Sequence, residues 1–272
     1  MPIPPSSASS SPSGASSCHD AVVAALRGAG CVFAEDEAEL ILAAARTPGE
    51  LDGMVARRVA GHPLELVVGW AEFRGLRITV EPGVFVPRRR TEFLVERALA
   101  HAPHARVVVD LCCGSGAVGA ALAAALGPVE LHAADIDPAA VRCARDNIAA
   151  HGGHAHEGDL FEALPGHLRG RVDILAANVP YVPTGEVPLL PAEAREHEPL
   201  TALDGGGDGL DVLRRVAGEA PGWLAPGGIL LVETSERQAA DALGAFTRAS
   251  LTARHAEDEE RLANVVLGSR VR

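Results

Sequence analysis

The sequence predicts an α/β protein. Its main part should be a doubly wound, mostly parallel sheet of seven strands, preceded by a small helical domain and a β-hairpin linker. Three observations predict it. From Thr91 onward, apolar runs of strand length alternate with segments of helical periodicity. The first of these runs, at Arg106–Leu111, is apolar at Val107-Val108-Val109 without alternation, as expected of a strand covered on both faces. The last two strand-like runs lie too close for a helical crossover and should therefore pair antiparallel.

The first 17 residues are Ser/Pro-rich, bury little apolar surface and read as a disordered tail. Residues 18–62 read as three short helices. His19–Arg27 and Asp36–Arg46 each present an apolar face, the second opening on an acidic first turn, and Thr47-Pro48 starts a third near Glu50. Residues 63–90 read as a linker. Leu66–Gly69 and Leu76–Val80 favour strands, with turns at Arg74-Gly75 and Glu81-Pro82-Gly83. Residues 91–272 carry the alternation. Helices are expected at Thr91–His101, Gly116–Leu126, Pro138–Ala150, Gly209–Ala220 and Glu236–Ala249. Strands are expected at Arg106–Leu111, Val129–Ala134, before Gly158, at Val172–Ala177 and Gly228–Glu233, and in the closing pair Leu251–Glu257 and Asn264–Leu267. The 26 residues Pro183–Asp208 form a stretch too long for a passive connection, which marks it as functional.

The chain carries 24 Lys plus Arg against 36 Asp plus Glu, a formal net charge of −12. That balance argues against gripping nucleic acid through its phosphates, since the densest basic cluster is Arg88-Arg89-Arg90. The five cysteines are an odd number without zinc-like spacing, so neither a disulfide framework nor a metal site is expected. His101, His104, His151, His154 and His156 fall in segments read as loops, where solvated surface histidines are expected. No membrane span or secretory leader is apparent. A soluble, cytoplasmic monomer is the default expectation.

Chemistry concentrates at three strand ends. After the first strand come Asp110, Cys112, Cys113, Gly114, Ser115 and Gly116. Gly114, Gly116 and Gly119 complete a Gly-x-Gly-x-x-Gly pattern, a weak sign of a nucleotide when taken alone. Asp110 sits where its charge would repel a pyrophosphate. Asp135-Ile136 follows the next strand, where the acid suits two ribose hydroxyls. Asp159-Leu160 follows a third, where the acid suits an adenine amino group. Three acids around one crevice fit adenosine joined to a cationic amino acid, that is, S-adenosyl-L-methionine. After the strand Val172–Ala177 come Asn178-Val179-Pro180-Tyr181. The Asn178 side-chain oxygen and the Val179 carbonyl can accept both hydrogens of an –NH2 group. Pro180 holds Val179 extended, and Tyr181 can pack on a planar acceptor. Such a site activates an amide nitrogen by positioning and electrostatics.

These motifs together resemble the HemK-type protein glutamine methyltransferases, from about Cys18 to Arg272. Val84–Glu92 resembles the family's linker signature, Asp110–Gly116 its cofactor loop, and Gly158–Phe161 its adenine-side segment. Asn178–Tyr181 resembles its Asn-Pro-Pro-Tyr, and Glu198–Gly206 its Glu-Pro stretch. The resemblance implies the class I methyltransferase fold. It implies that Phe85, Arg88 and Thr91 lie near the cofactor, and it suggests that His197 and Glu198 touch substrate. The implied substrate is an exposed Gln of a protein, a release factor or a ribosome-associated protein, held in part by the helical N-terminal domain. Departures stand at Val179, where the family has Pro, at Cys112 for Gly, at Arg89-Arg90 for Pro and an acidic residue, and at Thr234-Ser235 for a Gly-containing segment. These leave two alternatives, a small-molecule methyltransferase and an adenine-N6 methyltransferase acting on a flipped base.

Overall fold

The computed structural model describes residues 13–271. The chain divides into two units, with the break at Val68/Gly69. The first holds α1 (Ser13–Gly28), α2 (Ala34–Ala44), α3 (Pro48–Val59) and α4 (Leu64–Val68). Val22, Val23, Leu26, Ala38, Ile41 and Val67 form its core. Thr47 caps α3 by accepting the Glu50 N–H at 3.2 Å, just ahead of Pro48 in the first turn. Glu37 takes Arg58 at 2.6 and 3.1 Å.

Two expectations fail in this region. Most of the tail expected over residues 1–17 lies outside the described residues, but Ser13–Ser17 belong to α1. Pro12 is the last proline before that helix, so nothing after it removes a helical N–H. Leu66–Gly69 is not a strand, because α4 runs from Leu64 to Val68. Pro63 opens it, and its carbonyl accepts the Val67 N–H at 3.1 Å.

The second unit opens with a hairpin of β1 (Trp70–Phe73) and β2 (Leu76–Thr79), in register Phe73↔Leu76. Arg74 and Gly75 both have positive φ, 50° and 75°, which matches the right-handed twist of a two-residue hairpin turn. There follow α5 (Glu92–His101), β3 (Val107–Leu111), α6 (Ala117–Leu126), β4 (Glu130–Asp135), α7 (Pro138–Ile148), β5 (His154–Glu157) and β6 (Val172–Ala177). The stretch expected to be irregular contains a 3-10 turn, Thr184–Leu189, and short helices α8 (Ala192–His197) and α9 (Leu200–Leu203). The chain closes with α10 (Asp211–Glu219), β7 (Leu224–Thr234), α11 (Ala239–Arg248), β8 (Thr252–Asp258) and β9 (Ala263–Ser269).

The seven strands run in the order β5-β4-β3-β6-β7-β9-β8, parallel except for β9, which is antiparallel to both its neighbours. The doubly wound sheet and its antiparallel closing pair are as expected. β3 is buried at every residue, and apolar clusters cover both faces of the sheet. With few aromatic side chains, the interior is filled by Ala, Val and Leu. α6, AVGAALAAAL, is buried over its first seven residues.

The chain builds outward from β3 to β4 and β5, then returns to place β6 on the other side of β3. That reversal opens a crevice beyond the carboxyl ends of the strands. Leu111 is level with Ala134 and with Ala177, and Ala177 with Val232. The next residue of each strand, Cys112, Asp135, Asn178 and Glu233, therefore forms one row along that edge.

Candidate functional site

A cavity of about 1140 Å³ lies over this row. It is walled by the loop after β3, the ends of β4, β6 and β7, the segment Gly83–Thr91, part of the Pro183–Asp208 stretch and the β8–β9 turn. Phe85, Arg88, Thr91, Asp110, Cys112, Cys113, Gly114, Ser115, Asp135, Ile136, Asp159, Leu160, Asn178, Val179, Pro180, Tyr181 and Glu198 all line it. Of the site residues expected from sequence, Gly116 and His197 are not in its wall.

The glycine pattern serves three purposes. Gly114 has φ 54° and faces the cavity. Gly116 has φ 76°, and a Cβ there would meet Ala144 at 3.0 Å, so this glycine lets α6 approach α7. Gly119 lies against Asp110, whose Oδ2 accepts the Gly119 N–H at 2.7 Å. His197 ends α8 half-buried, and the chain turns there so that the next residue, Glu198, reaches the cavity.

The wall is acidic. Asp110 is 1% exposed. Burial pushes its carboxyl up to about 8, against the pull of the Gly119 N–H and with a further push from Asp135. Asp135 accepts the Gly114 N–H at 2.9 Å and the Asp137 N–H at 3.0 Å, which ties the β3 loop to the end of β4. Burial raises its pKa as well. Glu198 is held by Arg88, and its pKa is raised by burial, which the Arg88 charge opposes. Glu233 takes Arg90 at 3.0 Å. Among the described residues, the Oε2 atoms of Glu198 and Glu233 are buried without a hydrogen-bond partner. Asp159 pairs with Arg215 at 2.7 Å at the rim. Ile136 is 58% exposed, so an apolar surface stands beside Asp135. This wall offers a donor-rich ligand many carboxyl acceptors, while its arginines Arg88, Arg90 and Arg215 are engaged by Glu198, Glu233 and Asp159, which disfavours a phosphate. Burial raises the Cys112 and Cys113 thiols, so neither is a ready nucleophile.

The tetrapeptide after β6 is clamped. Val179 is 1% exposed. Gln238 donates to the Tyr181 carbonyl at 2.9 Å and to the Asp208 carbonyl at 2.9 Å. A Cβ on Gly205 would meet the Pro180 carbonyl at 2.6 Å, so a glycine is needed where the long loop crosses the tetrapeptide. The Asn178 Nδ2 lies 3.5 Å from the Thr91 hydroxyl, at the limit of hydrogen bonding, and the side chain belongs to the cavity wall. The Tyr181 hydroxyl accepts from Arg90 at 2.8 Å and donates to Glu233 at 3.2 Å, so the ring is tethered by its polar end. Burial, then the Glu233 charge, raises its pKa to about 12 and keeps it protonated. The sequence reading missed Glu233 and the inward role of Arg90. A carboxylate closing the apolar strand Ile229–Glu233 was the available signal for the first.

Residues 75–193 match the family model described as Methyltransferase small domain. A release factor glutamine methyltransferase of Geobacter sulfurreducens is 43% identical over 198 residues, 72% of this chain and 69% of that protein. The chain belongs to the release factor glutamine methyltransferase family. It is therefore a methyltransferase, as its motifs implied. A further relative is the 4-amino-L-phenylalanine/4-methylamino-L-phenylalanine methyltransferase of Streptomyces pristinaespiralis. It is 35% identical over 250 residues, 84% of this chain and 85% of that protein. Among solved structures, a T. thermophilus 16S rRNA methyltransferase in complex with AdoMet and guanosine superposes with a TM-score of 0.54. The match has 22% identity and covers 74% of this chain and 49% of that one, which shows the class I fold alone.

Proposed function

We propose that this protein transfers the methyl group of S-adenosyl-L-methionine to the side-chain amide nitrogen of a glutamine, on a release factor or a ribosome-associated protein, in the cytoplasm. The observation that carries this reading is the Asn178–Tyr181 turn, clamped beside an acidic cavity with the Asn178 oxygen and the Val179 carbonyl as acceptors. The residues present fit the cofactor. Asp135 and Ile136 would hold its ribose and adenine. Asp110, Gly114 and the Phe85–Arg88 segment would hold its amino-acid end. Bound there, it supplies an electrophilic methyl group. Asn178 and Val179 then hold both N–H hydrogens of the acceptor, fixing its nitrogen and weakening the delocalisation of its lone pair. No strong base is needed, since the nitrogen becomes acidic once alkylated. Tyr181, kept neutral, serves as wall rather than base. We assign residues 18–62 to holding the protein substrate.

A second reading is favoured by Arg90. It stands beside Tyr181 and Glu233, where the family resemblance expects an acidic residue. The arylamine methyltransferase relative also aligns over more of the chain than the glutamine methyltransferase does. In this reading the –NH2 belongs to a small aromatic amine whose carboxylate meets Arg90. One experiment separates the two. The enzyme is incubated with isotope-labelled cofactor and either a purified release factor or 4-amino-L-phenylalanine, and the product is mapped by mass spectrometry. Label on a glutamine side chain supports the first reading, and label on the arylamine alone replaces it.

Cofactor affinity should depend on pH through Asp110. Below about 8 the Asp110 carboxyl keeps its proton and offers no charge to a cation. Affinity should therefore rise with pH up to that point, by at most about ten-fold per unit. Calorimetry on Asp110→Asn in parallel removes the ligand's own titration. Identical profiles for the two proteins would exclude Asp110 from the interaction.

A further inference from the structure

At the opposite end of β4 from Asp135 lies a second cluster that the proposed reaction does not use. The strand rises about 3.3 Å per residue, so Glu130 lies about 16 Å from Asp135. Glu130 and His132 alternate onto one face of β4. His154 is in register with His132 on β5, and His156 is two residues further along the same face. These two histidines therefore stand on a strand and not in a loop. His167, in the 3-10 turn Gly166–Leu168, closes the group.

We infer that Glu130, His132 and His167 form a binding site for a divalent transition-metal ion of the zinc class. The geometry carries the inference. His132 Nε2 lies 3.5 Å and His167 Nε2 lies 3.1 Å from Glu130 Oε1, and the three ligand atoms all fall within 4.8 Å of one another. Zinc bound at about 2.0–2.1 Å by tetrahedral nitrogen and oxygen ligands separates those ligands by about 3.3 Å. The edges of 3.1 and 3.5 Å bracket that value. The remaining edge, between the rings, closes by a small rotation of His167, whose side chain is 56% exposed.

The surroundings supply what a coordinating set needs. The His132 side chain is 5% exposed and its ring is fixed. Its Nδ1 lies 2.9 Å from His156 Nε2, and the two rings stack with centroids 5.1 Å apart. With its proton on Nδ1, His132 donates to His156 and turns the bare Nε2 towards Glu130; the imidazole of His156 takes the place of the carboxylate or carbonyl that more often accepts from a coordinating histidine. Arg171 holds the other carboxylate oxygen, Oε2, at 3.0 Å and so fixes the direction of Oε1. Two histidines and one carboxylate leave the fourth position to solvent. An ion here ties β4, one strand in from the edge of the sheet, to the turn that carries His167, a bracing role away from the methyl-transfer cavity.

The test uses the tag-free full chain, dialysed against chelator and titrated with zinc chloride by calorimetry, with cobalt(II) absorbance as a second readout. One equivalent of zinc should bind and raise Tm, and cobalt should show the intense visible bands of tetrahedral coordination. His167→Ala and Glu130→Gln should each weaken zinc affinity at least ten-fold and remove the Tm rise. His101→Ala, whose ring bonds the Arg97 carbonyl, should leave both unchanged. His167 is exposed, so its variant should fold, with an unchanged circular dichroism spectrum. No binding by the parent chain, or equal binding by the parent, His167→Ala and Glu130→Gln, would overturn the site.

Discussion

Asn178→Ala should lower kcat by about two to three orders of magnitude, the usual cost of removing one preorganised polar group from a transition state. It should leave the cofactor dissociation constant nearly unchanged. The oxygen lost is the acceptor that holds one hydrogen of the reacting nitrogen. The Val179 carbonyl remains, because the clamp on the turn does not depend on Asn178. That clamp is made by Gln238 at the Tyr181 carbonyl and by the glycine loop at Pro180. The Asn178 amide contact to Thr91, at 3.5 Å, is at the limit of hydrogen bonding, so its loss costs the fold about 1 kcal/mol or less. The variant should therefore fold, bind cofactor and fail at chemistry. Single-turnover rates with labelled cofactor, beside calorimetric binding, check this. A kcat within a few-fold of the parent would remove Asn178 from the acceptor site under either reading of the substrate.

Asn178 was legible in the sequence because its context is local: an apolar strand, an amide, then a proline that restricts the backbone. The parallel sheet was legible for the same reason, since runs such as Val172–Ala177 announce burial on both faces. The hairpin shows where pattern reading fails. Leu66-Val67-Val68 carries β-forming residues, yet it lies in α4. The turn at Arg74-Gly75 was read correctly, and a two-residue loop forces Phe73 to pair with Leu76. Carrying that register back would have placed the first strand at Trp70. The partners of the site were not legible. Arg90 and Glu233 are 143 residues apart and meet Tyr181 only because β6 and β7 are adjacent and Arg90 lies just before α5. His132 and His167 were illegible as ligands for the same reason. Their spacing shows no ligand pattern until the 3-10 turn Gly166–Leu168 brings His167 to Glu130 on β4.

Asp135→Ala should have the reverse signature of Asn178→Ala, weakening cofactor binding by about a hundred-fold while kcat at saturating cofactor is largely kept. A hydrogen bond to a charged group contributes about 1.5–3 kcal/mol, and each 1.4 kcal/mol is ten-fold in affinity. Two such bonds to ribose hydroxyls would give more than a hundred-fold, but water entering the vacated space recovers part of the loss. Asp135 also accepts the Gly114 and Asp137 N–H groups, so its removal loosens the loop that shapes the amino-acid end of the site. Asp135→Asn separates these roles. It removes the charge and keeps one of the two oxygens that accept loop N–H groups, so it should lose affinity by about ten-fold and lose less Tm than Asp135→Ala. Because burial raises the pKa of Asp135, the parent pays to ionise that group before it can hold a ligand. Part of the difference between parent and Asn variant should accordingly shrink as the pH is lowered. Cofactor titrations of all three proteins at two pH values check the ordering. Should Asp135→Ala lose kcat instead, with binding intact, the ribose end of the cofactor would lie elsewhere in the cavity and the orientation proposed for it would have to be reversed.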